Sequence, residues 1–437
     1  MTTARLFREG RELAAATTPT ILAAPADAGE LSTKWDALVV GPPATPYAFG
    51  FFHFTFSFPK DYPNAPPKVT ATTTSANAVR FNPNVYASGK VCLSILGTWR
   101  GHSCEMWSAV QSISSVLTSI QSLLNDKPYH NEPSFEKDDG SGDVRRYSNK
   151  VAHETLRVGV CEVMEDSFNR RTSSPNGATP VFEHARRVLF LMYADRYLDE
   201  CAKGERLCDK GTTEDGAAFK IMPFECKTNQ MSGTFAWAAI AERLETLKSR
   251  ALDEVNEWRR QGQQQTALIA EGHVSAVDSC ISCLRQQEEH IKRGGIPAGT
   301  SVGADPHNAC VWTVTIFGPS DTLWDGGMFE VEVVFPPCYP DAPPHIRFLT
   351  PIFHPQINSN GVPYLRALIL WTCCDQRDRS IATLVEQLVA LLATAPSPEP
   401  ATHLNVAAAS LLFSRDDEDH KEYKRQVKKC VQRSVEM

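Results

Sequence analysis

The chain carries one sequence pattern twice. Residues 58–67 read FPKDYPNAPP, and residues 335–344, 277 positions later, read FPPCYPDAPP. Residues 82–93 read NPNVYASGKVCL, and residues 354–365, 272 positions later, read HPQINSNGVPYL. Blocks that recur in the same order at nearly the same spacing indicate an internal repeat, which constrains the fold more than any single motif. The sequence therefore predicts two copies of one domain.

Each copy predicts the same order of elements. A helix comes first, and alternating side chains then predict strands such as 51–58 and 329–335. The proline-rich block cannot continue a central strand, so we assign it to a turn. An irregular stretch and a second helix follow. Trp99 and Trp371 also lie 272 positions apart, and we expect them to be counterparts.

Two helices of the first copy show an apolar face. Residues 1–13 place Leu6, Gly10 and Leu13 on one side, which we expect to face inward. The second helix carries apolar residues at helical spacing: Val110, Ile113, Val116, Leu117, Ile120, Leu123 and Leu124. We interpret this stripe as core rather than as a cofactor site.

The segment between the copies is predicted to be helical. Helical periodicity runs near residues 147–168, 181–203 and 234–260, and polar, glycine-bearing breaks separate these stretches. The glutamine-rich residues 261–265 are predicted to be a linker into the second copy.

Length and composition limit the class of protein. A chain of 437 residues exceeds one ordinary core, and we expect an α+β protein with a first domain at 1–136, a helical extension and linker at 137–265, and a second domain at 266–437. The net charge of −7 argues against sequence-independent nucleic-acid binding. No apolar run predicts a membrane span or a signal peptide. The 13 irregularly spaced cysteines favour reduced thiols in the cytosol or nucleus.

Cys92 is the potential nucleophile of the repeated motif, and its counterpart in the second copy is Tyr364. Asn84, eight residues upstream of Cys92, carries an amide that could donate to an oxyanion, whereas the second copy has Gln356 there. Each residue also has a purely structural interpretation. A free cysteine is most often a small buried apolar residue, and Asn84 could close an Asx turn around Pro83.

These residues resemble the ubiquitin-conjugating enzyme family in both copies, and the first copy is similar to its large Z-type branch. The resemblance rests on the motif blocks and on residues 90–99 (KVCLSILGTW), 111–117 (QSISSVL) and 128–133 (PYHNEP). It implies an antiparallel four-stranded sheet with flanking helices. It also implies that ubiquitin, or a ubiquitin-like protein, is taken from an activating enzyme as a thioester and passed to a lysine or to a ligase. No cofactor or metal is implied.

The resemblance assigns roles by position. Cys92 matches the thioester acceptor, and Asn84 matches the asparagine that stabilises the oxyanion. Asn82 departs from the family's usual histidine, which His354 keeps. Where many relatives carry an acidic residue facing the incoming lysine, this chain has His130 and Glu132, which either orient the amine or are solvated loop residues.

Other departures concern partners. Asn64 and residues 108–110 replace residues that relatives use to bind ligases, so a ligase and protein substrates are expected to be recruited differently. A shifted nucleophile in the second copy, at Cys373 or Cys374, is an unlikely alternative. Cys280-x-x-Cys283 lacks a second pair at zinc spacing, so we interpret it as two core thiols.

Two functions remain open at this stage. The chain is either a conjugating enzyme with a catalytically silent second copy, or a non-catalytic scaffold in which both copies bind ubiquitin or partner proteins. The intact block from Asn84 to Cys92 favours the enzyme, because a scaffold leaves it unexplained.

Overall fold

The computed structural model describes residues 2–15, 19–26, 33–170, 181–208, 210–275, 280–372 and 379–436. It contains two four-stranded antiparallel sheets, and in each the strands lie side by side in chain order. The chain forms two compact units: Met1–Glu183 with Arg196–Leu247, and His184–Asp195 with Lys248–Met437. The predicted α+β class with two similar sheets is confirmed.

The first copy begins with helix α1, followed by a meander of four strands and a second helix. Its elements are α1 (Thr2–Ala15), β1 (Ile21–Pro25), β2 (Lys34–Val40), β3 (Phe51–Ser57), β4 (Lys68–Ala71) and α2 (Ile113–Leu123). Short 3-10 turns occupy Ser94–Leu96, Ser103–Glu105 and Pro128–Asn131.

The helical extension consists of four described helices with one π-helical stretch. They are α3 (Asp143–Glu154), the π-helical Thr155–Glu162, α4 (Val163–Arg170), α5 (Glu183–Arg206) and α6 (Trp237–Ala270). By the division into units, α5 and α6 each contribute residues to both.

The second copy repeats the first. Its elements are α7 (Cys280–Lys292), β5 (Thr300–Asp305), β6 (Asn308–Phe317), β7 (Met328–Val334), β8 (His345–Phe348), the short α8 (Arg366–Ile369) and α9 (Ile381–Ala393). A 3-10 turn at Pro400–Thr402 and helices α10 (Val406–Leu412) and α11 (Asp417–Ser434) complete it.

The predicted linker at 261–265 is wrong, because these residues continue helix α6. Glutamine forms helices well in water. Gly262 also allows α6 to lie against β6, since a Cβ atom there would come within 2.6 Å of the Cβ of Cys310. The glycine therefore marks a close helix–strand contact rather than a flexible joint.

The apolar stripe of the second helix is mostly correct. Ile113, Val116, Leu117, Ile120 and Leu124 are buried, and Leu123 is half-buried. Val110 was assigned to this face wrongly, since it is 87% exposed. Helix α2 begins only after Ser112, whose hydroxyl accepts the backbone N–H of Ser115.

Helix α1 contributes a buried carboxylate that the apolar pattern did not predict. Leu6 is buried as expected, and so is Glu9. The Oε2 atom of Glu9 accepts the backbone N–H of Ile113 at 2.9 Å and the hydroxyl of Tyr62 at 2.8 Å. Arg5 forms an ion pair with the same carboxylate. Glu9 thus joins α1, the proline-rich turn and the start of α2.

The second copy builds the same joint with an amide. The Oε1 atom of Gln287 accepts the N–H of Ile381 at 2.9 Å, and its Nε2 donates to the hydroxyl of Tyr339 at 2.7 Å. Gln287 lies in α7, the counterpart of α1, and Ile381 begins α9, the counterpart of α2. The joint is therefore kept although its side chain changed.

The structure pairs the tryptophans differently from the sequence. Trp107 donates its Nε1–H to the carbonyl of Pro63 at 2.7 Å, and Trp371 donates to Pro340 at 2.7 Å. Trp371 is therefore the counterpart of Trp107, and its predicted pairing with Trp99 is wrong. Trp99 is 41% exposed. Equal spacing misled because the first copy has extra residues before Trp107.

Within the described ranges, no helix combines the length and apolarity needed to cross a membrane.

The joint at Glu9 predicts a graded response to substitution. Glu9→Leu removes the acceptor that the N–H of Ile113 and the hydroxyl of Tyr62 share, and we expect it to destabilise the fold by about 2–4 kcal/mol. Glu9→Gln should cost about 1 kcal/mol or less, because Gln287 serves in the other copy. Urea denaturation of the full chain measures both.

The control is Glu12→Leu on the same helix, where the side chain is 64% exposed; we expect a change within about 0.5 kcal/mol. Equal losses for Glu9→Leu and Glu12→Leu would contradict the assigned joint.

Candidate active site

Backbone hydrogen bonds fold residues 82–92 into a tight turn that brings Asn84 beside Cys92. The N–H of Tyr86 donates to the carbonyl of Lys90 at 2.9 Å, and the N–H of Gly89 donates to that of Tyr86 at 2.9 Å. The N–H of Cys92 donates to the carbonyl of Asn84 at 2.8 Å. The two residues that the sequence selected therefore meet because the turn pairs them.

A glycine fastens this turn to the sheet. Gly89 has φ of +85°, and its carbonyl accepts the N–H of Ala71, in β4, at 2.8 Å. A Cβ atom at Gly89 would lie 2.5 Å from the carbonyl oxygen of Ala71. In the second copy, Gly361 has φ of +81° and accepts the N–H of Phe348 at 2.9 Å. Both positions need glycine for conformation and for space.

The amide of Asn84 points to the cysteine. Its Nδ2 donates to the backbone carbonyl of Cys92 at 3.0 Å, and its own N–H donates to Oδ1 of Asn82 at 2.9 Å. An amide nitrogen carries two hydrogens. One bond to the Cys92 carbonyl therefore leaves Asn84 with a second donor, and the structural and catalytic interpretations of this residue are compatible.

Asn82 makes the bonds that fix the start of the turn. Besides accepting from Asn84, it donates from Nδ2 to the carbonyl of Leu123 at 2.8 Å and to the hydroxyl of Tyr47 at 2.9 Å. Tyr47 in turn donates to the carbonyl of Phe81 at 2.7 Å. The side chain is completely buried.

His354 is the counterpart of Asn82 and accepts the equivalent N–H, from Gln356, at 3.0 Å on Nδ1. Burial lowers the pKa of His354 to about 4, although a backbone interaction with Leu391 acts in the opposite direction. The imidazole is therefore neutral and structural. Its neighbour is Trp324, whose ring centroid lies 5.8 Å away, where the first copy has Tyr47.

Tyr86 lies in the same turn as the cysteine, and the sequence did not single it out. Burial first, and then the neighbouring Cys92, raise the pKa of Tyr86. The phenol therefore stays protonated at neutral pH. Cys92 itself is only 1% exposed. The available signal was a polar aromatic residue inside the motif, six positions before the thiol.

A buried arginine links Tyr86 to Glu132. The guanidinium of Arg80 lies 5.1 Å from the ring centroid of Tyr86. It donates to the carbonyl of Pro83 at 2.8 Å and to Oε2 of Glu132 at 3.2 Å. Burial raises the pKa of Glu132, and Arg80 partly offsets this by favouring the charged form. Glu132 is thereby connected to the cysteine turn.

His130 makes other contacts. Its Nδ1 lies 2.7 Å from the carbonyl oxygen of Phe135, and its ring packs edge-on against Tyr129 with centroids 6.1 Å apart. Glu132 and His130 are the two residues that the sequence suggested for orienting the incoming lysine. The described contacts join Glu132 to the Arg80–Tyr86 pair, whereas those of His130 stay within its own loop.

The second copy keeps the turn and lacks the thiol. The N–H of Tyr364 donates to the carbonyl of Gln356 at 2.8 Å, as Cys92 does to Asn84. Tyr364 is 7% exposed, and burial raises the pKa of its phenol. Asn358 donates to the backbone carbonyl of Leu191 at 3.1 Å. In the second copy, residues of helix α5 therefore lie on the face that corresponds to the cysteine-bearing face of the first copy.

Comparison with known proteins agrees with this double architecture. The sequence profile described as Ubiquitin-conjugating enzyme matches residues 5–150 and matches again at residues 285–431. These two matches cover more than half of the chain. The chain belongs to the ubiquitin-conjugating enzyme family. The second match falls on the copy without the cysteine, so the tandem arrangement inferred from the repeat is confirmed.

Curated relatives match parts of this chain. The human Ubiquitin-conjugating enzyme E2 Z is 44% identical over 227 residues, which are 51% of this chain and 57% of the relative. The Danio rerio protein of the same name is 44% identical over 218 residues, or 50% and 60%. The human Dual E2 ubiquitin-conjugating enzyme/E3 ubiquitin-protein ligase BIRC6 is 45% identical over 131 residues, or 29% and 3%. The chain spans less than two thirds of each relative.

Family membership and the names of these relatives support a ubiquitin-conjugating function in general. In this family member, an insertion follows the candidate acceptor. From Cys92 to Trp107 there are 15 positions, against 7 from Tyr364 to Trp371. Thr98 lies within this longer stretch, and its hydroxyl donates to the carbonyl of Val91 at 2.7 Å.

The remaining thiols form no metal site among the residues described. The Sγ of Cys280 lies 3.6 Å from the Sγ of Cys310, and Cys283 accepts from Gln287 at 3.7 Å. The cysteines in the described ranges are free. Cys373 and Cys374, considered as alternative nucleophiles, lie outside the described residues.

A comparison of Gly89 with Gly97 gives a testable prediction. Gly97→Ala should cost about 1 kcal/mol, because φ is +65° there but nothing lies within 4 Å of the added Cβ. Gly89→Ala should cost about 2–4 kcal/mol, because a clash with Ala71 adds to the strained φ. Urea denaturation compares the two variants. Equal losses of stability in the two variants would show that Gly89 does not pack closely against β4.

Proposed function

We propose that this chain is a ubiquitin-conjugating enzyme that carries ubiquitin, or a ubiquitin-like protein, as a thioester on Cys92. The Cys92 thiolate attacks the carbonyl carbon of the modifier's C-terminal thioester on an activating enzyme, and the activating enzyme's thiolate leaves. A lysine amine, or the cysteine of a ligase, then attacks the new thioester. The modifier departs with it, and the Cys92 thiolate is released.

The observation that supports this proposal best is the pairing of Asn84 with Cys92. The turn places an amide donor on the cysteine's own backbone carbonyl at 3.0 Å, with a second N–H of the same amide available. A tetrahedral intermediate on Cys92 carries a negative oxygen. A preorganised donor stabilises that charge more than it stabilises the resting thioester. The second copy has neither residue, since Tyr364 and Gln356 stand there.

On the lysine side we propose Tyr86 and Glu132 before His130. Tyr86 lies near Cys92 in the turn, and Arg80 ties Glu132 to the same turn. The attacking amine must lose a proton, and a carboxylate whose pKa is raised is a better acceptor than an ordinary one. His130 is bound to Phe135, which makes it a weaker candidate for this role.

The second copy is proposed to be an accessory module. Its cysteine position is a buried tyrosine, and residues of helix α5 lie on its motif face. The alternative, a scaffold without catalysis, is disfavoured by the Asn84–Cys92 pairing. With free thiols in the described ranges, we propose that the enzyme works in the cytosol or nucleus.

A charging assay tests the acceptor. With activating enzyme, ATP and ubiquitin, the full chain should form an adduct that thiol reductant removes. Cys92→Ser should give an adduct that resists reductant, because an oxyester forms, and Cys92→Ala should give none. Gel electrophoresis with and without reductant reads the outcome.

The matched control is Tyr364→Phe at the same position of the other copy, and we expect it to charge as the wild type does. Absence of an adduct on the wild-type chain with several activating enzymes and ubiquitin-like proteins would refute the proposal. Loss of the adduct in Tyr364→Phe would contradict the accessory role of the second copy.

Removal of the oxyanion donor gives a separate prediction. Asn84→Ala should slow transfer from charged Cys92 to free lysine by about 10²–10³-fold, the usual effect of losing one such donor. Single-turnover discharge measures this rate, and thermal unfolding is recorded alongside. If unfolding changes while discharge does not, Asn84 is only a structural residue of the turn.

A further inference from the structure

A loop of the extension lies against the cysteine turn of the first copy. We call residues 218–234 the extension loop; Ala218 bridges to Thr234, and Cys226 bridges to Asn229. The loop is far from the motif in sequence, more than 125 positions after Cys92 at its start. It nevertheless contacts residues 80–87.

A buried ion pair fixes the loop to helix α3. The Nζ of Lys150 lies 2.7 Å from Oε2 of Glu225, and both side chains are almost fully buried. The same carboxylate accepts the N–H of Met222 at 2.8 Å and that of Met231 at 3.1 Å. Since both carboxylate oxygens hold loop backbone, the ion pair gives the loop one conformation.

Asn229 makes the first contact with the cysteine turn. Its Oδ1 accepts the backbone N–H of Ala87 at 3.1 Å, and both residues are buried. Ala87 directly follows Tyr86, whose pKa the neighbouring Cys92 helps to raise after burial. The bond therefore acts on the part of the turn that sets where the phenol lies.

Phe224 makes the second contact, through Arg80. The guanidinium lies 5.4 Å from the ring centroid of Phe224 and 5.1 Å from that of Tyr86. It also donates to the carbonyl of Phe224 at 3.4 Å. Arg80 thus connects the extension loop to the ring of Tyr86 by cation–π contacts at each end.

The second copy shows the same arrangement with other residues. Ser359 is the counterpart of Ala87, 272 positions later. Its N–H donates to Oδ2 of Asp195 at 3.3 Å, and its hydroxyl donates to the same oxygen at 2.6 Å. Asp195 belongs to α5 of the extension. In each copy, therefore, the extension supplies the acceptor for this one N–H of the turn.

We propose that Asn229 is a positioning residue of the active site, and that the extension loop holds the turn that carries Tyr86 and Cys92 through Ala87 and Arg80. This rests on the proposed function, with Cys92 as the acceptor. The family domain then supplies the thiol and the oxyanion donor, and the extension completes the surroundings of the sulfur.

Two kinds of measurement on the full chain test the role of Asn229. The first is single-turnover discharge of ubiquitin from Cys92 to free lysine, over a range of lysine concentration and pH. Asn229→Ala should lower the limiting rate by about 10-fold and leave the lysine concentration for half-maximal rate unchanged, because geometry and not lysine binding is altered. Asn229→Asp keeps an acceptor for the Ala87 N–H and should restore the rate to within about 3-fold.

The second measurement does not depend on conjugation. Alkylation of Cys92 by iodoacetamide, followed by mass spectrometry of its peptide, should be at least about 3-fold faster in Asn229→Ala, because loss of the bond opens the turn around a buried thiol. Thr228→Ala, at an exposed neighbour of Asn229 on the same loop, should match the wild type in both measurements.

The outcomes separate the two proposals. If the wild-type chain forms no adduct, the proposed function fails, and alkylation alone then decides whether Asn229 holds the turn. If Asn229→Ala discharges and alkylates like the wild type, the positioning role is refuted. Should Asn229→Ala fail to fold, Phe224→Leu tests the other contact: it keeps apolar volume, removes the ring beside Arg80, and should slow discharge by a similar factor.

Discussion

The fold of each copy depends on one hydrogen-bonding side chain that its first helix contributes. In the first copy this is Glu9, which accepts from the start of α2 and from Tyr62, and in the second copy it is Gln287, which contacts the same two points. Backbone N–H groups at a helix start need acceptors. Since one side chain serves both the helix start and the proline-rich turn, the two approach each other.

Much of this could be predicted from the sequence, because it depends on local patterns. The duplication, the strands and the proximity of Asn84 to Cys92 follow from repeats, alternation and a short turn. Long-range contacts could not be predicted. From the sequence alone, Glu9 looks like a surface charge, although it is buried. Because the first copy has extra residues before Trp107, the repeat spacing paired Trp371 with Trp99, which is the wrong tryptophan. Residues 261–265 seemed to be a linker because composition cannot show that Gly262 lies against a strand.

The two copies also show how a motif residue changes together with its neighbour. Asn82 donates to the hydroxyl of Tyr47, whereas His354 packs beside Trp324, which offers no such acceptor. Both Asn82 and His354 accept the N–H two residues later, so the turn is conserved between copies. In the first copy, Asn82 replaces the family's histidine and its neighbour changes with it. Polar contacts are therefore exchanged rather than lost.

The acceptor that the extension supplies to each turn bears on where the functional domain ends. The family profile matches up to residue 150, yet the N–H of Ala87 is bonded to Asn229, 79 positions past that limit. A survey of natural sequence variation that is confined to the matched residues would leave out changes at Asn229. In this chain, the domain boundary given by the family profile differs from the boundary given by hydrogen bonds to the cysteine turn. Variation beyond the profile can therefore still alter the surroundings of the cysteine.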